Sequence, residues 1–224
     1  MKAMILCAGR GERLRPLTDA IPKPLLEAGG RCLLSYLVDS LAAAGCKQTV
    51  INVSWLSDQF RRFADAAVQR GLEISISDEG ESALETGGGI HNALPLLGSK
   101  SFVVVNGDIW TDYPFGNLNL PEGSKAHLVM APNPTHNPDG DFSLIDGLVT
   151  DRNSTRYTFS GIGVYSPALF ERCIPGCFPL VPLLKDTMQE NAVTGELYEG
   201  AWFDIGTRER LEQLDDFLRL RTED

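Results

Sequence analysis

The first 108 residues alternate short apolar runs with amphipathic stretches of helical period, and this rhythm limits the possible folds more than any other feature of the chain. Residues 3–7, 49–53, 72–76 and 102–105 have the length and apolar character of strands. Between them, residues 33–44 place Leu33, Leu34, Leu37, Val38 and Leu41 on one helical face, and Gly45 stops the run. Residues 56–68 turn Phe60, Phe63, Ala64 and Ala67 inward, and residues 90–97 follow three glycines as a further helix. Alternation of this kind predicts a mainly parallel sheet with right-handed crossovers and helices on both faces. The second half differs. Residues 126–130, 142–145, 148–150 and 157–165 read as strands with few helices between them, and Asp146-Gly147 marks a hairpin. A helix over 179–189, a strand over 201–205 and a last helix opening at Thr207, with Leu211, Leu214, Phe217 and Leu218 inward, complete the reading.

The first predicted strand runs into Ala8-Gly9-Arg10-Gly11-Glu12-Arg13-Leu14-Arg15-Pro16-Leu17-Thr18, and Pro22-Lys23-Pro24 follows. Open α/β sheets place ligands beyond the carboxyl ends of their strands. Two glycines allow a sharp turn that brings backbone N–H groups against phosphate oxygens. Arg10, Arg13, Arg15 and Lys23, set against Glu12 and Asp19, leave this stretch at +2 in a chain of net charge −10. A dinucleotide fingerprint would need glycine where Leu14 stands, and no Gly-Lys-Ser/Thr of a P-loop is present. A bare Gly-x-Gly is equally an ordinary turn with solvated arginines; the prolines and Lys23 favour phosphate.

The acidic balance, with a pI near 4.8, argues against nucleic acid or an anionic membrane as partner, since both require a basic face. Cys7, Cys32, Cys46, Cys173 and Cys177 lack metal-ligand spacing and read as reduced, mostly buried thiols. No run approaches the ~18 apolar residues of a membrane helix. The amino end lacks the apolar length of a signal peptide, so a cytoplasmic protein is expected.

Gly9-x-Gly11-x-Arg13-Leu14-x-Pro16-Leu17-Thr18 with Pro22-Lys23-Pro24 resembles the signature of the sugar nucleotidylyltransferases. Three further segments resemble that family in order: Glu85-Thr86-Gly87-Gly88-Gly89, Asn106-Gly107-Asp108, and Trp202-Phe203-Asp204-Ile205-Gly206-Thr207. The resemblance implies a Rossmann-like single domain over 1–224. Its nucleotide-binding half would be 1–115, and its sugar-binding half, 116–224, would carry a small antiparallel lid region and the C-terminal helix. It implies a nucleoside triphosphate donor, a sugar-1-phosphate acceptor, and Mg²⁺ held by Asp108 and Asp204. Ala8, Gly9, Gly11, Glu12, Arg13, Lys23, Gly87 and Gly88 would bind nucleotide. Within that set Arg13 would hold the β- and γ-phosphates and Lys23 the α-phosphate, as the catalytic cations. The glycines 87 to 89 would let the base approach the chain. Taken alone, Asp108 reads equally as a turn aspartate and Asp204 as a charge near a helix start.

Residues 133–142 and 158–165 resemble the N-acetylmuramate-1-phosphate uridylyltransferases of peptidoglycan recycling, which implies UTP as donor. Asn106, Asp141 and Gly161 would then meet the sugar. Lys185 would meet the acceptor's phosphate or lactyl carboxylate, or else be a solvated helix lysine. A dianionic acceptor phosphate needs no general base, and His91, His127 and His136 read as surface or helix-end residues. Other readings stay open. They include an enzyme making UDP-glucose, dTDP-glucose or GDP-mannose, a phosphocholine cytidylyltransferase, and a non-catalytic nucleotide-binding regulatory subunit. An NAD-dependent dehydrogenase is disfavoured by Leu14. Either a monomer or a small homo-oligomer suits the chain.

Overall fold

The computed structural model describes residues 1–152 and 155–222. The first half contains β1 (Lys2–Leu6), the short helix α1 (Leu17–Ala20), the ribbon β2 (Glu27–Ala28) and β3 (Arg31–Cys32), and α2 (Leu33–Ala43). It continues through β4 (Gln48–Val53), α3 (Ser57–Val68), β5 (Glu73–Asp78), α4 (Glu85–Leu97), β6 (Phe102–Asn106) and β7 (Ile109–Thr111). The second half holds β8 (Ala126–Ala131), β9 (Phe142–Ile145), β10 (Leu148–Thr150) and β11 (Arg156–Tyr165). It ends with α5 (Leu180–Gln189), β12 (Val193–Leu197), β13 (Trp202–Asp204) and α6 (Arg208–Thr222).

Nine strands form one sheet in the order β5-β4-β1-β6-β11-β8-β12-β10-β9. β5, β4, β1 and β6 run parallel, as does β12 on β8, whereas the pairings of β11 with β6, β8 and β9, and of β10 with β12 and β9, are antiparallel. The sheet is therefore evenly mixed, not mainly parallel, because the second half returns through hairpins instead of helical crossovers. One hairpin sits where expected: Asp146 and Gly147 both adopt positive φ, as a type I′ turn requires.

Strand alternation divides the core between two faces. Ala3, Ile5, Ile51, Val53, Val103 and Val105 pack with Leu34, Leu37 and Leu41 of α2 and Phe60 of α3. Met4, Val50, Phe102 and Val104 point the other way, against Ile90 and Ala93 of α4 and Leu180 and Leu184 of α5. Helices thus cover both faces, and β1, in the middle, is sealed from water. A third cluster joins Trp110 of β7 and Ile205 to Leu214 and Leu218 of α6, which clamps the β7–β13 ribbon from outside. All five cysteines are free. Only Cys7 and Cys46 are buried, while Cys177 is exposed, so the thiols are less enclosed than expected. No helix among the described residues is long and apolar enough to cross a membrane.

β12 is a strand that the residue pattern hides, since Thr194 and Glu196 interrupt its apolar run. Both find partners inside the molecule. Thr194 Oγ1 lies 2.9 Å from His127 Nδ1, and Tyr113 donates its hydroxyl proton to Glu196. His127 is therefore a buried residue of a central strand and not a surface histidine. Burial holds its imidazole below the ordinary value of 6.5, with Glu196 opposing. The unfolded chain takes up this proton near 6.5 while the folded chain resists it, so stability falls as pH drops below about 6.5. Urea midpoints at pH 7.5, 6.5 and 5.5 are expected to decline in the wild type and to decline less steeply in His127→Gln.

Candidate active site

The chain leaves β1 for β4 and β5 on one side of the sheet and later returns to β6 on the other. The gap beyond the carboxyl ends of β1 and β6 is consequently a topological switch point, where open sheets accept ligands. A cavity of about 450 Å³ opens there. Of the residues expected at a nucleotide, Ala8, Gly9, Gly11, Glu12, Arg13 and Lys23 line it, and so do Asn106 and Asp108. A smaller cavity of about 210 Å³, lined by Asn106, Asp108, His136, Asn137, Thr158, Ser160, Trp202 and Asp204, adjoins it. Asn106 and Asp108 are common to both walls.

The loop after β1 is held open by its own bonds. Gly11 adopts φ +68°, and its carbonyl accepts from the Thr18 hydroxyl (2.8 Å) and the Leu14 N–H (2.9 Å). The N–H groups of Gly9 through Arg13 have no acceptor among the described residues, and four of them, those of Gly9, Gly11, Glu12 and Arg13, belong to residues that line the cavity and stay available to an anion. The loop's root is bolted to the opposite wall. Cys7 N–H donates to Asn52 Oδ1 (2.8 Å), Asn52 donates to Glu79 Oε1 (2.7 Å), and Glu79 Oε2 accepts the N–H of Leu84 (2.7 Å). Asn52 and Glu79, which the residue pattern did not single out, thereby tie the phosphate-type loop to the segment before α4. Burial, and secondarily Asp108, pushes the Cys7 thiol well up, so it stays protonated and inert.

Charge in the cavity differs from the local +2 read along the chain. Arg10 stacks over Trp55 at 4.5 Å and Arg15 pairs with Asp19 at 3.1 Å, so both serve the surface. Arg13 and Lys23 remain on the wall, facing Glu12, Glu79, Glu85 and Asp108, which leaves a formal charge of −2. A polyanion can enter such a cavity only with accompanying cations.

Asp108 and Asp204 are brought together. Asp204 stands opposite Ile109 in the β7–β13 ladder, and Ile205 donates its N–H to the carbonyl of Asp108 at 2.8 Å. Lys23, whose side chain is only 10% exposed, donates to Asp108 Oδ2. Asp204 is held by two groups that sequence reasoning missed: Arg210 donates to Oδ2, and His136 Nε2 lies 3.0 Å from Oδ1. His136 is therefore part of this cluster and not a plain surface residue. Among the described residues no three histidine, cysteine or acidic side chains gather as a metal cluster. Two carboxylates beside an open cavity suit Mg²⁺, which takes one or two carboxylates with the rest of its shell from phosphate and water.

Four expectations need revision. Gly87 and Gly88 lie within the first turn of α4 and are buried behind the cavity wall. A Cβ on Gly87 would meet the Phe178 ring at 2.6 Å, one on Gly88 would meet the Gly176 carbonyl, and Gly88 N–H donates to Phe178 O at 3.0 Å. These glycines make room for the chain's own residues 176–178; Glu85 and Thr86 reach the cavity instead. Asp141 is not on either wall. Its Oδ2 accepts the Phe159 N–H (2.8 Å), and its carbonyl accepts from Arg156, so it braces the base of the loop over 133–141. Lys185 points elsewhere and pairs with Asp151 at 2.8 Å. Gly161 acts through a neighbour: with φ +81° beside a bulge in β11, it leaves the space that the Asn106 side chain fills.

Alanine at position 161 would put a Cβ 2.5 Å from Asn106 Nδ2 on a backbone that resists side chains. Gly161→Ala is expected to destabilise by roughly 1–3 kcal/mol in urea unfolding.

The family model described as nucleotidyl transferase matches residues 2–140, more than half of the chain. The chain is 45% identical over 222 residues to the N-acetylmuramate alpha-1-phosphate uridylyltransferase of Neisseria meningitidis, covering 95% of this chain and 96% of that protein. It is 34% identical to the Caulobacter vibrioides protein of the same name, with 91% of each covered. Its fold matches the inositol-1-phosphate CTP transferase structure from T. maritima with a TM-score of 0.81 at 17% identity, over 97% of this chain and 94% of that one. With a switch-point cavity, a glycine loop of free donors and a carboxylate pair on its wall, the chain belongs to the nucleotidyl transferase family and is a nucleotidyltransferase.

Proposed function

We propose that the enzyme transfers the uridylyl group of UTP to N-acetyl-α-muramate 1-phosphate, giving UDP-N-acetylmuramate and pyrophosphate. The observation that carries this reading is the 45% identity, over nearly the full length of both chains, to a protein named for that activity. In this reading residues 1–115 form the nucleotide-binding half. Residues 116–224 form the sugar-binding half, with the antiparallel strands as a lid region, and the whole chain works as one domain. In this reading the enzyme works in the cytoplasm, where UTP is available, and its product belongs to peptidoglycan recycling.

The acceptor's phosphate has a second pKa of about 6 and is a nucleophile at neutral pH without a general base. Catalysis is then positioning plus charge compensation. The free N–H groups from Gly9 to Arg13, with the Arg13 guanidinium, take the β- and γ-phosphates. Lys23, already aimed at Asp108, takes the α-phosphate oxygens, where negative charge grows as the new P–O bond forms and the pyrophosphate departs. Asp108 and Asp204 would hold Mg²⁺, which when bound supplies electrostatic stabilisation to the phosphates. The −2 charge of the larger cavity's lining supports this requirement for a cation. Glu79, Ala83, Glu85 and Thr86 border the space left for the base. Asn106, propped by Gly161, lies where the two cavities meet and can bond the sugar while restricting its tilt.

Pyrophosphate release with UTP, N-acetylmuramate 1-phosphate and Mg²⁺ tests the proposal, and a marked preference for GTP, CTP or another sugar phosphate would replace it. Chelation with EDTA is expected to abolish turnover, with recovery on adding back Mg²⁺. Lys23→Ala and Asp108→Ala should each retain the wild-type circular dichroism yet lose about 100-fold or more in kcat. Near wild-type kcat in either variant removes that residue from the mechanism.

A further inference from the structure

Each proposed metal-binding carboxylate is already neutralised by cations of the chain. Lys23 serves Asp108, and its further task follows from its place beside the phosphate loop. Asp204 is served by the Arg210 guanidinium, with the His136 ring beside both, and neither residue has a task in the reaction as described above. The arrangement around Arg210 is built, not incidental. Its side chain is 16% exposed, against 65% for Arg208 and 71% for Arg219 on the same helix. Thr207 Oγ1 accepts the Arg210 N–H at 3.4 Å and fixes the helix start. The guanidinium lies over the Cβ position of Gly206, so a larger residue there would require it to shift. Nη1 also lies 2.7 Å from Nε2 of His136, a residue on the wall of the smaller cavity.

That smaller cavity has a deficit. Its wall carries two carboxylates, Asp108 and Asp204, several neutral polar groups and one histidine, but no lysine or arginine. The acceptor, whose sugar was placed at Asn106 on the wall shared with this cavity, is a polyanion, with a phosphate at one end and a carboxylate on its lactyl group. Once a divalent ion occupies Asp204, the attraction that keeps Arg210 on that carboxylate is largely cancelled. The nearest arginine then has a negative acceptor as its best remaining partner.

We propose that Arg210, supported by His136, is a reserve cation: it holds Asp204 in place before the metal arrives, and afterwards binds the acceptor's anionic group. This inference rests on the uridylyltransfer reading for the identity of the acceptor, though not for the hand-over at Asp204. It makes acceptor binding depend on prior occupation of the metal site, without any movement of the backbone.

The test compares Arg210→Gln with the wild type, with thermal unfolding as a check that the variant folds; Arg210→Met, which keeps the apolar length of the side chain without its charge, replaces it if it does not. Calorimetric titration with Mn²⁺ alone, in the absence of nucleotide, should show several-fold tighter binding in Arg210→Gln, because a competing cation has gone. Titration of acceptors into enzyme loaded with Mg²⁺ and a non-hydrolysable UTP analogue should show about tenfold weaker binding, the loss expected for one charge-assisted contact. Affinity for the analogue itself should change by less than about twofold, which a general loosening of the site would not spare. N-acetylmuramate 1-phosphate and N-acetylglucosamine 1-phosphate distinguish the source of the anion. A loss confined to the first identifies the carboxylate, and an equal loss for both identifies the phosphate. Unchanged acceptor binding, or Mn²⁺ binding weakened together with that of the nucleotide analogue, overturns the proposal and makes Arg210 a brace for Asp204. If the wild type binds no muramyl acceptor, the uridylyltransfer reading fails separately. The Mn²⁺ titration, with whichever sugar 1-phosphate the wild type does bind, then decides the role of Arg210.

Discussion

Two carboxylates held side by side, Asp108 and Asp204, are the constraint around which this molecule is arranged. Like charges held close together repel, and a half-enclosed cavity screens them less than bulk water does. The fold supplies their partners from three distant points of the chain. Lys23 comes from the loop after β1, His136 from the loop before β9, and Arg210 from the first turn of α6. The β7–β13 ribbon exists to bring the two acids together, and it is too short to stand alone. Trp110, Ile205, Leu214 and Leu218 pin it from outside, so the C-terminal helix contributes to the site through packing as well as through Arg210.

The wall opposite is made rigid in another way. Asn52 sits at the end of β4, and its one amide reaches both the root of the glycine loop and Glu79, which in turn reaches the turn before α4. Three segments that would otherwise move independently are linked through two polar side chains, both satisfied. Buried networks of this kind raise specificity only when every member is bonded. The same rule holds on the sugar side. Asn137 donates to Thr158 Oγ1 and to Asp141, and Thr158 donates to Asn133, so the loop over 133–141 carries His136 at a defined height. A catalytic surface made of loops is thus as well fixed as one made of strands.

How much of this could be read beforehand depended on the range of the interactions involved. The glycine loop was legible because it ends an apolar run, where a local pattern signals a strand and then a turn, whereas Lys23, Asp108 and Asp204 were picked out by the family resemblance, each being an ordinary loop or turn residue when taken alone. The four long strands of the first half and helices α2 and α3 were legible from the same apolar runs, with bounds off by a residue or two, whereas α4 begins five residues before the expected 90 and the short elements α1, β2, β3 and β7 gave no periodic signal. Arg210 and His136 were not legible, because their meaning lies in a contact between residues 74 apart that no local pattern encodes. Asp141 misled because an aspartate after glycine looks free to reach a ligand, whereas the Phe159 N–H claims it. Gly87 and Gly88 misled because a glycine run suggests an exposed loop, while here it admits the Phe178 ring to the helix. β12 was hidden because its polar residues are satisfied across the sheet by His127 and Tyr113, an arrangement visible only once the strands are ordered.

The overall charge of −10 is at odds with two polyanionic substrates until distance is considered. At physiological ionic strength surface charges are screened beyond ~8 Å, so the acidic exterior affects the approach of a nucleotide far less than the lining of the cavity affects its binding. Within the cavity, neutral N–H donors and cations already paired to carboxylates avoid the cost of keeping bare positive charges ready. A paired cation is not lost to the ligand; it is released in proportion as another positive charge takes its carboxylate. An acidic protein can in this way bind triphosphate and sugar phosphate without a standing basic patch, which would also attract every other polyanion in the cell. Selectivity for substrates that arrive with a divalent ion then follows from charge balance alone.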